Sequence, residues 1–215
     1  MPYTLLRVTE RGVVLWDYHA RRLALPLESP EWEAFARFGR EAAVGVWAVH
    51  AAPGQGVRTE ARSGSQLWDG MPARCVASPA ADLPGPFPKP ASPSLYDAVR
   101  LEGTATLLTS PDGSEIYEAC RAAVVGWDGE GPVCVPRDRP RVWSTAETAI
   151  REHLPMREAP IVPGGMPILL VNAVKGTCEL AGARGPSAPL SARRFPPEVR
   201  REIELLFAAL TLRPG

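Results

Sequence analysis

The chain has 215 residues, 24 basic and 24 acidic side chains, and no formal net charge. That length can bury a sizeable core as one large domain or two small lobes, and the even charge offers no basic face to nucleic acid or an anionic membrane. No apolar run reaches the length of a membrane span, Met1-Pro2-Tyr3-Thr4 lacks the start of a signal peptide, and Cys75, Cys120, Cys134 and Cys178 form no closely spaced pair. The composition therefore predicts a soluble cytoplasmic protein with reduced thiols and no metal site.

In chain order, Tyr3 to Val8 and Val13 to Trp16 are short β-rich runs separated by Glu10-Arg11-Gly12, the pattern of a hairpin. Asp17 then stands as the N-cap of a short helix from Tyr18 to Ala24, which holds His19, Arg21, Arg22 and Leu23. Ser29-Pro30-Glu31 places a capping serine and a proline at the start of a second helix, which presents Trp32, Phe35, Ala36 and Phe38 and ends near Ala43. Val44 to His50 and Val57 to Arg62 read as strands joined at Pro53-Gly54-Gln55-Gly56. Arg58 and Arg62 on the second strand either meet a substrate carboxylate or stand solvated on its outer face.

Pro79, Pro84, Pro86, Pro88, Pro90 and Pro93 mark an extended segment. They divide the chain into a small α/β lobe over 1–80, an interlobe crossing over 81–93, and a larger lobe over 94–215 with a mixed sheet or barrel and a terminal helix. One of only two lysines, Lys89, lies in that crossing; the other is Lys175. Ser92-Pro93 opens a helix that sets Tyr96 and Arg100 on one face. Thr104 to Leu108 is a strand, Pro111-Asp112-Gly113 a turn, and Ile116 to Cys120 a strand that turns Glu118 either inward or to solvent. After the strand Val133 to Pro136, Ser144-x-x-Glu147 is a capping box, with Glu147 folded back onto the helix start. Strands follow over 156–161 and 167–171, the second apolar throughout and so buried on both faces. From Pro196 to Leu210, Val199, Ile203, Leu206 and Phe207 mark an amphipathic helix.

A lysine, a tyrosine-bearing helix, an apolar strand, an Asp-Gly turn and a glutamate form an order that pyridoxal phosphate chemistry uses. The lysine amine forms an imine with the cofactor aldehyde and shuttles protons, while a carboxylate keeps the pyridine nitrogen protonated. Leu107-Leu108-Thr109-Ser110-Pro111-Asp112-Gly113 and the run to Glu118 resemble the pattern Leu-Leu-x-x-x-Asp-Gly-x-x-x-Glu of the fold-type IV pyridoxal phosphate enzymes, the class IV aminotransferases, with one extra residue before the glutamate. His19-x-x-Arg22-Leu23 resembles the family's phosphate-gripping segment, and Val171-Asn172-Ala173-Val174 is most similar to the aminodeoxychorismate lyases. Pro90 stands where the family has Thr or His, and Ala123 where it has Asn.

The resemblance implies an α+β to α/β, two-lobed, D-amino acid aminotransferase-like fold, shortened at its N-terminus, with pyridoxal 5′-phosphate as cofactor. Lys89 would be the catalytic lysine, and Arg22 would grip the phosphate with its planar fork. Tyr96 would support the ring hydroxyl or else be a core aromatic, and Glu118 would hold the pyridinium. Ser144, Thr145 and Ala146 would receive the phosphate at a helix start, with Asn172 and Ala173 beside it. Arg58 and Arg62 would face the carboxylate of an amine or amino acid substrate. His19 would be structural, and the protein a homodimer. The activity so implied is an aminodeoxychorismate lyase releasing pyruvate to give 4-aminobenzoate for folate synthesis. The alternatives are a class IV aminotransferase on a small amino acid, or a non-catalytic remnant that has lost the cofactor, because Glu147 beside a phosphate is electrostatically unfavourable.

Overall fold

The computed structural model of the chain describes residues 2–63, 67–87, 94–181, 191 and 193–214. Lys89 and the expected helix start at Ser92-Pro93 lie outside the described residues. The first elements are β1 (Tyr3–Thr9), β2 (Gly12–Val14), α1 (Trp16–Leu23), α2 (Pro30–Glu41), β3 (Gly45–Ala52) and β4 (Gly56–Arg62). Strict alternation along β1 turns Leu6 and Val8 onto α1 and α2, with Trp16, Phe35 and Val49, and leaves Tyr3, Leu5 and Arg7 on an open, half-buried face. Thr4 also points inward, where its hydroxyl contacts His19 Nδ1 at 2.6 Å, so His19 is a packed histidine. Asp17 is not the cap of α1. The helix begins one residue before it, after Leu15 in a left-handed conformation with no side-chain cap, because the Leu15 N–H is taken by Leu210 O at 3.1 Å. In α2 the expected start holds: Ser29 Oγ accepts from the Trp32 N–H at 3.0 Å and Pro30 leads the helix.

The rest runs β5 (Ala73–Ala77), α3 (Ser94–Asp97), β6 (Ala105–Thr109), β7 (Ile116–Ala119), β8 (Ala123–Trp127), β9 (Pro132–Cys134), α4 (Thr145–His153), β10 (Arg157–Glu158), β11 (Ile168–Asn172), β12 (Gly176–Glu179), α5 (Pro197–Ala209) and β13 (Thr211–Leu212). Three sheets form, in the orders β13-β2-β1-β3-β4, β10-β9-β8-β11-β12 and β5-β6-β7. The third sheet joins strands from before and after the proline-rich segment. Ala73–Ala77 pairs in parallel with Ala105–Thr109, so residues 78–104 are the long connection that two parallel neighbours require. The C-terminal strand Thr211–Leu212 returns to pair with β2, passing so close to Gly12 that a Cβ there would lie 2.4 Å from the Leu212 backbone.

The second and third sheets enclose one apolar cluster built on Leu107, Ile116, Val124, Val133, Ile161 and Leu170. The outer face of the second sheet, with Val125, Leu169 and Val171, is covered by α4 and α5 through Ala146, Ile150, Ile203 and Phe207. On the far side of the third sheet Leu108 packs with Tyr96 and Ala80, and Phe87 and Val142 lean on them. No helix among the described residues is long and apolar enough to cross a membrane. The four cysteines are free thiols, Cys134 and Cys178 buried and the others half-buried.

Candidate active site

Glu118 owes its direction to a β-bulge. In the pairing of β6 with β7, Leu107 faces Ala119 and Leu108 faces Glu118, but Thr109 faces Ile116, so Tyr117 is an extra residue without a partner on β6. A single added residue reverses the alternation. Ile116 and Ala119 therefore both enter the inter-sheet core while Glu118 points to the opposite side with Leu108. Upstream, Asp112 Oδ1 accepts from Ser110 Oγ at 2.5 Å and from the Ser114 N–H at 3.1 Å, and Gly113 takes φ 75°, which fixes the turn feeding this strand.

The Glu118 carboxylate is 6% exposed. Its Oε1 accepts from the Tyr96 hydroxyl at 2.5 Å and from the Val142 N–H at 2.9 Å, and among the described residues Oε2 has no partner. Burial pushes the carboxyl up to about 7, against the Tyr96 and Val142 hydrogen bonds and the Arg141 charge, which favour its ionised form. The Val142 segment is itself clamped to the chain before Lys89, since Phe87 N donates to Arg141 O and Trp143 N donates to Phe87 O, both at 2.9 Å.

Arg22, on the last turn of α1, has Nε and Nη2 sealed from water without an acceptor among the described residues. Burial lowers it to about 10, and the groups that oppose burial are Tyr3 and Glu118, so those two side chains share its surroundings. Buried cationic donors without an acceptor are what a phosphate would satisfy. A buried carboxylate with a free oxygen is what a protonated ring nitrogen would satisfy. These residues fit pyridoxal phosphate at both of its ends.

At the start of α4, Ser144 Oγ accepts from the Glu147 N–H at 3.3 Å and Ser144 O accepts from the Thr148 N–H at 3.0 Å. The Thr145 and Ala146 N–H groups have no acceptor among the described residues, and both residues are buried, the condition of a helix start that receives an anion. The expected capping box is only half present. Glu147 does not fold back; its carboxylate lies between Arg141 and Arg151, bonded to Nη1 of Arg141 and, at 2.8 Å, to Nε of Arg151. Two guanidiniums outbid the backbone N–H because ion pairing at 3–4% exposure is far stronger than a neutral cap. The carboxylate expected to repel a phosphate is thus neutralised.

The remaining expected residues have these surroundings. Asn172 is committed to its own turn, with Oδ1 accepting from Val174 N at 3.0 Å and Lys175 N at 2.6 Å and Nδ2 donating to Arg121 O at 3.0 Å. Ala173 is a core residue beside Ala146 and Tyr18. Tyr96 and Arg100 do not share a helix face: α3 ends at Asp97, and Arg100 pairs with Asp97 at 3.3 Å. Arg62 is exposed and bonded to Glu60 at 2.7 Å, though its charge reaches Tyr3. Arg58 is exposed in register with His50 on the edge strand. Lys175 sits at the β11–β12 turn, where its charge acts on Asp69 and Cys178. Missed by the sequence reading were Tyr3, Arg141 and the Val142 N–H, of which only Arg141 carried a signal, a charged residue beside an apolar strand end.

Among solved structures the chain is similar to a hypothetical aminotransferase from Mycobacterium tuberculosis in its PLP-bound form, with TM-score 0.67 and 17% identity over 98% of this chain and 88% of that one. It is similar to the alpha-ketoglutarate and PMP bound form of a hypothetical aminotransferase from the same organism, with TM-score 0.61 and 17% identity over 98% and 88%. It is also similar to 4-amino-4-deoxychorismate lyase from Pseudomonas aeruginosa, with TM-score 0.60 and 12% identity over 97% and 90%. No family model and no curated protein matches the chain. The likeness is one of fold: the chain has the α+β, two-lobed fold of class IV aminotransferases and 4-amino-4-deoxychorismate lyases.

Proposed function

We propose that this chain binds pyridoxal 5′-phosphate between Arg22 and Glu118 and acts as an aminodeoxychorismate lyase-like enzyme, releasing pyruvate and leaving 4-aminobenzoate. The observation that carries the reading is a guanidinium and a buried carboxylate whose charges act on each other, the first without an acceptor and the second with one oxygen free among the described residues. When bound, the cofactor supplies an electrophilic aldehyde and an electron-accepting ring. Arg22 and the Thr145 and Ala146 N–H groups hold the phosphate, and Glu118 keeps a proton on the ring nitrogen. Lys89 would supply the amine for that aldehyde and the group that moves protons at the substrate.

A class IV aminotransferase is the second reading. It is favoured by the likeness to the structure that holds alpha-ketoglutarate and PMP, since both chemistries use the same lysine and carboxylate. On either reading the substrate is a small amine or amino acid, Arg62 is the better placed of the two β4 arginines to meet its carboxylate, and the protein is a homodimer, which sedimentation would show. The test is the visible spectrum of the purified protein with added pyridoxal phosphate, then borohydride reduction and peptide mass mapping. A visible band that is trapped on Lys89 is expected, and release of pyruvate from aminodeoxychorismate without an amino acceptor then separates lyase from aminotransferase. A protein that stays colourless and unmodified defeats both readings and leaves the non-catalytic one.

A further inference from the structure

We infer that Tyr96 is a positioning residue that works through Glu118: with the Val142 N–H it fixes Oε1 of the carboxylate and so presents Oε2 to a protonated ring nitrogen. The inference rests on the pyridoxal phosphate reading for the identity of that nitrogen, but not for the contact itself. A phenol has one proton to donate, and at 2.5 Å Tyr96 gives it to Glu118, so the same proton is not offered to a ring oxygen. Both donors fall on one oxygen. A carboxylate held at one oxygen by two donors is fixed in rotation and leaves the other oxygen aimed. Packing against Ala80 and Leu108 holds the Tyr96 ring at 9% exposure, so the hydroxyl has little freedom to leave.

The groups that act on Glu118 come from several elements: Tyr96 on α3, Val142 N–H and Arg141 before α4, Glu147 in α4, Cys120 after β7 and Arg22 on α1. Burial is the largest influence and favours the neutral acid, and Tyr96 is the first of the groups that oppose it. Without the hydroxyl, Glu118 would ionise only at higher pH, and the neutral form would not hold a pyridinium.

The test is Tyr96→Phe, which keeps the ring in its apolar cluster. In cofactor-free protein the infrared carbonyl stretch of protonated Glu118, assigned by its loss in Glu118→Gln, is followed against pH. The wild-type midpoint is expected near neutrality and that of Tyr96→Phe about one unit or more higher, the size expected from losing a donor to an ionised acceptor. In parallel, pyridoxal phosphate affinity is measured against pH, and the pH below which it weakens should rise by the same step, a roughly fivefold loss at pH 7 for the first unit. An unmoved infrared midpoint overturns the inference whatever the protein binds. A midpoint that moves while the binding profile stays put overturns the role toward the ligand. If neither protein binds pyridoxal phosphate, the proposed function falls, and the infrared midpoint alone decides whether Tyr96 governs Glu118.

Discussion

Arg22 and Arg141 are both arginines held inside the protein beside a helix, and the fold treats them in opposite ways. Arg141, at 4% exposure, gives Nη1 to Glu147 and Nη2 to Val135 O, and Arg151 reaches the same carboxylate from the other side, with only Nε of Arg141 lacking an acceptor. Arg22 has two sealed nitrogens without an acceptor among the described residues, and the carboxylate whose charge acts on it, Glu118, is already engaged by Tyr96 and Val142. In the first arrangement the charge is answered within the protein. The second leaves a cation desolvated and unanswered, which a chain tolerates where a ligand supplies the missing charge.

The sharpest way to break the comparison is Glu147→Gln. Removing one partner of a buried ion pair leaves uncompensated charge and costs about 3–5 kcal/mol, and here two guanidiniums lose their carboxylate together. Denaturant unfolding should show a loss of at least about 3 kcal/mol, with a matching fall in the transition midpoint. A loss below about 1 kcal/mol, the range of exposed pairs, would mean that the network does not hold α4, and the contrast with Arg22 would disappear.

Next in size is the pH dependence carried by Glu118. Its folded value of about 7 lies above its ordinary 4.5, so between those values the unfolded chain has released the proton while the folded chain still keeps it. Stability from this group therefore falls as pH rises from about 4.5 to about 7, by about 3 kcal/mol in all, and is level above. Glu118→Gln removes the penalty. The cofactor-free variant should be more stable than wild type at pH 8 by up to about 3 kcal/mol and equal to it near pH 4.5, while losing pyridoxal phosphate affinity. A gain that is the same at both pH values would place its cause outside the carboxyl ionisation.

Much of this was legible because it is local. The helix starts at Ser29 and Ser144 follow from short polar side chains beside a helical run, and α5 from the spacing of Val199, Ile203 and Phe207. Glu118 and Arg22 stood out only through the family resemblance, since a strand glutamate and a helix arginine are otherwise ordinary surface residues. What chain-local reasoning lost was every choice between a near partner and a distant one. Glu147 had its own helix start within reach and took Arg141 and Arg151 instead. Tyr96 gave its proton to a carboxylate 22 residues along the chain. Asp17 lost its capping role because Leu210 arrives from the other terminus to hold Leu15. The parallel pairing of β5 with β6 across the proline-rich segment leaves no mark in either strand.

The smallest expected stability effect is also the one that separates the two arginines by sign. Arg22→Met replaces the cation with an unbranched apolar chain of similar reach, in surroundings already lined by Tyr3 and closed enough to lower the arginine to about 10. Substituting a buried charge that lacks a partner with a hydrophobic residue is neutral or stabilising, so the cofactor-free variant should gain about 1–2 kcal/mol, less than the buried limit because the side chain is only part-covered. Pyridoxal phosphate affinity should fall about a hundredfold, the equivalent of about 2–3 kcal/mol for lost charge-assisted bonds, while affinity for pyridoxal, which has no phosphate, should hardly change. Denaturant unfolding and a binding titration with each ligand read these separately. If Arg22→Met lost stability as Glu147→Gln does, Arg22 would have an unseen structural partner. If pyridoxal and its phosphate weakened equally, the guanidinium would not be facing a phosphate, and the site would have to be read from the Glu118 end alone.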